Sequence, residues 1–178
     1  MKPTIIPLRY PGGKGKIYPH IKNVIIANNC ANKTYVEPFC GGFGVRLLCE
    51  GIVKKAIMND LDIHIFHFWQ TVLYETDKLL KLIQDTPINL PERDKQKQIY
   101  LDSEATPLDD GFATLYLNRV NHNGIIHGGP IGGTGQVGQY KLGCRYNKTE
   151  IARRIEAIAH FKGKLEIYNA DTIEFMAK

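Results

Sequence analysis

The chain has 178 residues, 43% of them hydrophobic and 23% charged. It is long enough to bury one full core and points to a single domain with at most a small subdomain. Its formal net charge of +5 is compatible with a polyanionic partner without requiring one. Four cysteines (Cys30, Cys40, Cys49 and Cys144) form no Cys-x-x-Cys pair and no regular framework, which argues against a zinc knuckle and a disulfide scaffold.

No charged segment followed by an apolar one opens the chain, and no apolar run approaches the roughly 20 residues that cross a bilayer. The expectation is a soluble, cytoplasmic protein with reduced thiols and no membrane association.

In chain order, Pro7-Leu8-Arg9-Tyr10-Pro11-Gly12-Gly13-Lys14-Gly15-Lys16 has the look of a phosphate loop. It lacks the first glycine that such a loop needs, because Leu8 and Tyr10 stand at those positions. What remains is an aromatic residue, a glycine turn and two lysines. Lys14 is placed to pair with a carboxylate, and a solvated basic turn explains the segment equally well. Ile17, Ile21, Val24 and Ile25 then share one face of an expected helix.

From Tyr35 to Asp60 the pattern is strand, tight loop, helix, strand. Tyr35-Val36 ends in Glu37-Pro38-Phe39-Cys40-Gly41-Gly42-Phe43-Gly44, and an amphipathic run (Val45, Leu47, Leu48) opens at once. Glycines let a backbone approach a ligand closely, and a helix start offers unpaired N–H groups. A second apolar run, Ala56-Ile57-Met58, ends in Asn59-Asp60, so Asp60 lies 19 positions beyond Gly41. An acid at the tip of the second strand is where doubly wound folds grip a ribose.

A pyrophosphate ligand is disfavoured: no third glycine is seen where the helix packs on the strand, and the Glu37 carboxylate would repel it. A ribosylated cation with an amino-acid tail, S-adenosylmethionine, suits the same features. A glycine turn needed only for geometry remains the alternative.

One long helix is expected from about Asp62, its cap, to Gln84, with Ile63, Phe66, Val72, Leu73, Leu80 and Ile83 inward. His64 and His67 fall one turn apart on it, half of a metal site with no third ligand in view. Thr86 to Asp110 is polar and proline-punctuated, with a short helix from about Glu92 to Leu101. This break in the strand–helix alternation marks the place of an inserted subdomain.

Gly111 to Asn147 begins with a helical run through Asn118 and Arg119. Asn121-His122-Asn123-Gly124, a glycine-rich loop and Cys144-Arg145-Tyr146-Asn147 follow. Asn, Arg and Gln interleaved with aromatics are the mixture that reads base edges and stacks on bases. Gly133-x-Gly135-x-x-Gly138 follows no strand and opens no helix, so a mobile loop is expected there. Thr149 to Phe161 returns to helix, with Ile151, Ile155 and Ile158 inward and Arg153 and Arg154 outward. A strand at Leu165–Tyr168 precedes Asp171 and Glu174, which have the spacing of a helix cap. Asp171 is read either as that cap alone or as a third-strand residue facing an adenine ring.

With these pieces in order, the chain resembles the D12 class of DNA adenine-N6 methyltransferases. The resemblance rests first on Arg9-Tyr10-Pro11-Gly12-Gly13-Lys14, on Tyr35-Val36-Glu37-Pro38-Phe39 with Gly41-Gly42, and on Asn59-Asp60-Leu61-Asp62. It continues through Leu117-Asn118-Arg119, Asn123-Gly124, Gly128-Gly129-Pro130-Ile131-Gly132-Gly133 and Arg145-Tyr146-Asn147, so the landmarks span essentially the whole chain.

The resemblance implies an α/β fold, Rossmann-like and S-adenosylmethionine-dependent, with a mainly helical target-recognition subdomain inserted between the second and third strands. The divisions expected are 1–85 for cofactor binding, 86–147 for the insert and 148–178 for the return to the methyltransferase sheet. Tyr10, Gly12, Gly13 and Lys14 would contact the methionine part of the cofactor, and Glu37, Pro38, Phe39, Gly41 and Gly42 would form its main cradle. Asp60 would hold the ribose and Asp171 would lie by the adenine. Asn118, Arg119, Asn123, Arg145 and Asn147 match the positions that face double-stranded DNA.

The departure from the family is the tetrapeptide Asp-Pro-Pro-Tyr, expected shortly after Asp171 and absent from these 178 residues. In the family it holds the amino group of the flipped adenine. Asp85-Thr86-Pro87-Ile88 is the nearest string, at the end of a helix. No catalytic residue and no metal ligand is therefore assigned in this chain, which is expected to be inactive alone. A second chain supplying the catalytic half, or self-association through an uncovered sheet edge, is the expected partnership. A non-catalytic DNA-binding or regulatory module that keeps the fold is the alternative.

Overall fold

The computed structural model of the chain describes residues 5–9, 15 and 17–177. Among the described residues three short parallel strands form one sheet in the order β1-β2-β3. β1 (Thr34–Glu37) pairs with β2 (Lys55–Asn59), setting Tyr35 opposite Ala56 and Glu37 opposite Met58. β3 (Leu165–Tyr168) lies on the other side of β2, with Met58 opposite Ile167 and Asn59 opposite Tyr168. The apolar Ala56 and Met58 are completely buried, as a central parallel strand requires. α2 (Phe43–Cys49) carries the chain from β1 to β2, burying Val45, Leu47 and Leu48.

α1 (Tyr18–Ala27) departs from the expected burial. Tyr18 alone is fully buried, while Ile17 and Val24 of the expected inward face are exposed. Ile25, on the same face, is half-buried against the main hydrophobic cluster, and Ile21 is half-buried as well.

After β2 the single expected helix is two, α3 (Ile63–Tyr74) and α4 (Thr76–Asp85). Asp62 caps α3 as expected, accepting from the His64 N–H. The break sits at Glu75 (φ −125°, ψ 31°), next to a Thr76 hydroxyl that donates back to the Val72 carbonyl at 2.8 Å. Such a hydroxyl competes with the helix's own ladder and bends it.

α5 (Leu90–Leu101) starts on an Asn89 cap with proline in its first turn. α6 (Pro107–Val120) starts on a Thr106 cap, also with proline in its first turn. Every residue of α6 from Gly111 to Val120 is buried, so this helix is covered all round and runs through the middle of the molecule. Gly111 makes the crossing with α3 possible, because a Cβ there would stand 2.8 Å from both the His67 carbonyl oxygen and the Thr71 hydroxyl oxygen. One hydrophobic cluster joins the sheet (Ala56, Met58, Leu165) to α3 (Phe68, Trp69, Val72) and α6 (Phe112, Leu115, Tyr116).

α7 (Lys148–Ala159) begins at an Asn147 cap and buries Ile151, Ile155 and Ile158. Arg154, expected outward, is turned in: its Nε donates to Glu150 at 2.8 Å and its Nη1 to the Ile6 carbonyl at 3.1 Å. The short α8 (Thr172–Met176) follows β3 and buries none of its residues.

Candidate functional site

Parallel strands deliver their following loops to one edge, and here three loops meet at the carboxyl ends of β1, β2 and β3. In the first loop the Glu37 side chain folds back over the start of α2. Its Oε1 accepts from the Gly41 and Phe43 amides at 2.9 and 3.2 Å, and its Oε2 accepts from the Gly44 amide at 2.9 Å. The carboxylate is 6% exposed, so it serves as an internal anion for the helix N-terminus. The amides that a pyrophosphate would need are already occupied. Sequence reasoning missed the third glycine: a Cβ on Gly44 would lie 3.0 Å from the Ala56 Cβ, so Gly44 is the residue that lets α2 lie on the sheet. Gly42 takes φ +85°, and a side chain there would strike Ile6. Pro38 precedes Phe39, whose ring is 72% exposed at the edge of this loop.

Asn59, the last residue of β2, is fully buried and ties the three loops together. Its amide donates to the Pro38 carbonyl at 3.2 Å and to the Ala170 carbonyl at 3.0 Å, and its oxygen accepts the Ala170 N–H at 3.0 Å. Asp60 follows at the tip. Its Oδ1 accepts from the Asp62 amide at 3.0 Å, and burial, opposed by the Asp62 and Cys40 amides, raises its pKa above the ordinary carboxylate value. Asp171 lies at the tip of β3, where its Oδ1 accepts from Ile173 N at 2.8 Å and Glu174 N at 3.4 Å and so caps α8. Around these acids the apolar side chains of Phe39, Leu61 and Ile173 stand exposed. Tyr10, Gly12, Gly13 and Lys14 lie outside the described residues.

The five residues expected to face DNA are placed quite differently from one another. Asn118 is buried and saturated. It accepts from the Arg9 amide at 2.7 Å and donates to the Arg9 and Gly124 carbonyls at 2.8 and 2.9 Å. Arg119 is only 8% exposed, its Nη1 reaching the Arg145 carbonyl at 3.4 Å while its Nε has no hydrogen-bond partner among the described residues. Burial first, then the Arg154 and Arg9 charges, push its pKa down to about 10. Asn147 caps α7, accepting from Glu150 N at 2.9 Å. Asn123, in the left-handed region at φ 55°, and Arg145 are exposed. Thus Asn123 and Arg145 present their side chains outward, whereas Asn118 and Arg119 build the floor beneath them.

The glycine-rich loop between Gly128 and Leu142 is knitted by one side chain. Gln136 donates to the Ile131 and Gly133 carbonyls at 2.8 and 2.7 Å and accepts the Leu142 amide at 2.9 Å. A glutamine among glycines was the available signal, and composition alone could not distinguish a staple from a solvated amide.

His64 and His67 have a structural partner that the sequence did not reveal. Each Nδ1 lies 2.7 Å from one oxygen of the buried Asp110 carboxylate. Among the described residues no group of three or more His, Cys, Asp or Glu is arranged to hold a metal ion.

A parallel sheet with helical crossovers, its loops gathered at the strand carboxyl ends, makes this an α/β protein. Residues 10–178 match the family described as D12 class N6 adenine-specific DNA methyltransferase, and the chain belongs to that family. No match is found among curated proteins.

Proposed function

We propose that this chain binds S-adenosylmethionine at the carboxyl edge of a Rossmann-like sheet and presents duplex DNA to it for methylation of adenine N6. The observation that carries the reading is the Asn59 bridge, which holds the Phe39–Gly42 loop, Asp60 and Asp171 together at one edge of the sheet. The donor set fits the cofactor. A partly buried carboxylate at the β2 tip matches a ribose diol, and the exposed Phe39, Leu61 and Ile173 offer apolar surface to an adenine ring. When bound, the cofactor supplies a methyl group on a sulfonium.

Glu37 holds the first loop in shape from within, and Asp171 sets the direction of the chain after β3. Asn123 and Arg145 face the DNA, on a floor built by Asn118 and Arg119. Positioning is the main task such a chain performs, because the lone pair of an exocyclic amine is delocalised and reacts only when oriented toward the methyl. The 178 residues contain no Asp-Pro-Pro-Tyr, so we assign to them cofactor and DNA binding, with turnover depending on a segment that carries those acceptors.

Calorimetry with S-adenosylmethionine, and transfer of labelled methyl to duplex DNA with and without a chain bearing Asp-Pro-Pro-Tyr, test the reading. Micromolar cofactor binding with methylation only in the mixture is the expected result. Absence of cofactor binding in the folded chain would leave a DNA-binding module that retains only the fold.

A further inference from the structure

Beneath the Gln136-knitted loop lies a cavity of about 330 Å³, lined by Arg9, His122, Asn123, Gln139, Tyr140 and Arg145, with Cys144 at its side. It shares no residue with the cradle at the strand ends. Arg9 is held firmly: Asn118 bonds both its amide and its carbonyl, and its Nη1 donates to the Asn121 carbonyl at 3.3 Å. Arg145 is fixed through its own carbonyl by Arg119. Two guanidiniums therefore line one cavity, with a third buried behind them, and no carboxylate is among the described lining residues. The undescribed residues contain no Asp or Glu either. Burial first, and then the neighbouring Arg145 charge, depress the Arg9 pKa against an opposing contribution from Cys144.

The other walls are not those of a simple anion hole. Tyr140 is 59% exposed and offers a ring face, while Asn123 and Gln139 bring amides that pair with base edges. The volume stands at the small end of the roughly 300–1,000 Å³ of ligand pockets, which suits one nucleotide and no longer segment.

We propose that this cavity holds a single nucleotide of the DNA strand, its phosphate between Arg9 and Arg145 and its base against Tyr140, separate from the adenine that is methylated. The proposal rests on the DNA-methyltransferase reading for its substrate.

Cys144 supplies the test, because it lines the cavity while the exposed Cys30 does not. Alkylation of both thiols by iodoacetamide is followed by mass spectrometry, at constant ionic strength, with deoxynucleoside monophosphates or inorganic phosphate present. A mononucleotide at about ten times its Kd should slow Cys144 alkylation about tenfold, since only a tenth of the cavity is then free, and leave Cys30 unchanged. Inorganic phosphate at the same concentration should protect far less. Arg145→Ala, at an exposed position, should abolish the protection, and Tyr140→Ala should reduce it to the phosphate level. Equal protection by phosphate and nucleotide, or protection by neither, overturns the proposal. Cofactor and duplex binding are measured alongside: intact binding of both with an unprotected Cys144 sinks the cavity alone. Nucleotide protection without cofactor binding supports the cavity and removes the methyltransferase reading.

Discussion

At the scale of single residues, two carboxylates at neighbouring strand tips perform opposite tasks. Glu37 is consumed internally, as acceptor for three amides of its own loop. Glu37→Ala strands those amides and should cost at least about 2 kcal/mol, read from the midpoint of urea unfolding. Asp60 stands at a partly buried tip, and its folded pKa is raised by burial. Its contribution to stability is therefore complete below the unfolded value of about 3.9 and is lost as pH rises through the raised folded value. At neutral pH the ionised group is a cost that a bound ribose would offset. Asp60→Asn keeps an oxygen for the Asp62 amide, so it should leave the fold intact and stabilise the unliganded chain at neutral pH. It should weaken S-adenosylmethionine binding by about 1.5–3 kcal/mol, roughly tenfold to a hundredfold. Wild-type affinity should fall as pH drops through the Asp60 pKa, and the variant should show a flat profile. Equal affinities in calorimetry would remove the ribose assignment.

At the scale of elements, the crossing of α3 and α6 is the contact on which the helical part depends. Gly111 brings the helices close enough for Asp110 to receive both His64 and His67, while Thr71 donates to the Pro107 carbonyl at 3.0 Å. Gly111→Ala drives a methyl into backbone and hydroxyl on α3 and should cost about 1–3 kcal/mol by overpacking. Gly129→Ala, with open space around it and no positive φ, is the matched control and should be near neutral. A Gly111→Ala variant as stable as the control in thermal melts would mean that the two helices can separate freely. The same crossing ties the end of the polar stretch from Thr86 to Asp110 to the helix that follows β2, because α6 begins within that stretch at Pro107 and is buried against α3.

At the scale of the whole molecule, the sheet is covered unevenly. β2 is enclosed by strands on both sides, whereas the outer edge of β1 has no strand partner among the described residues. Val36 on β1 is 43% exposed, and Phe39 just beyond it is more so. An edge of this kind offers unpaired N–H and C=O groups to another chain. The 178-residue chain alone should therefore associate in a concentration-dependent way in light scattering, and Val36→Lys should suppress that association without lowering the melting temperature. A cooperative monomer at all concentrations for both forms would show that the edge is protected. With a net charge of +5 and the Arg9–Arg145 face, duplex binding should weaken with salt, with a log–log slope of about 0.9 per phosphate neutralised.

Local features were legible from the order of residues alone. The strand–loop–helix–strand run from Tyr35 to Asp60, the Asp62 cap, the helix through Asn118 and the strand at Leu165–Tyr168 all appear where the pattern of apolar residues and caps put them. The family landmarks were legible for the same reason, being short strings with fixed neighbours. What the tertiary structure alone decided are partnerships across long stretches of chain. Asn118 is spent on Arg9, 109 positions away, Asn59 on Ala170, 111 positions away, and His64 on Asp110, 46 positions away. A side chain's periodicity tells which face of an element it occupies, but a polar group's role depends on which donor or acceptor burial brings within 3 Å of it. That is set only when the core closes and each desolvated group must find a partner.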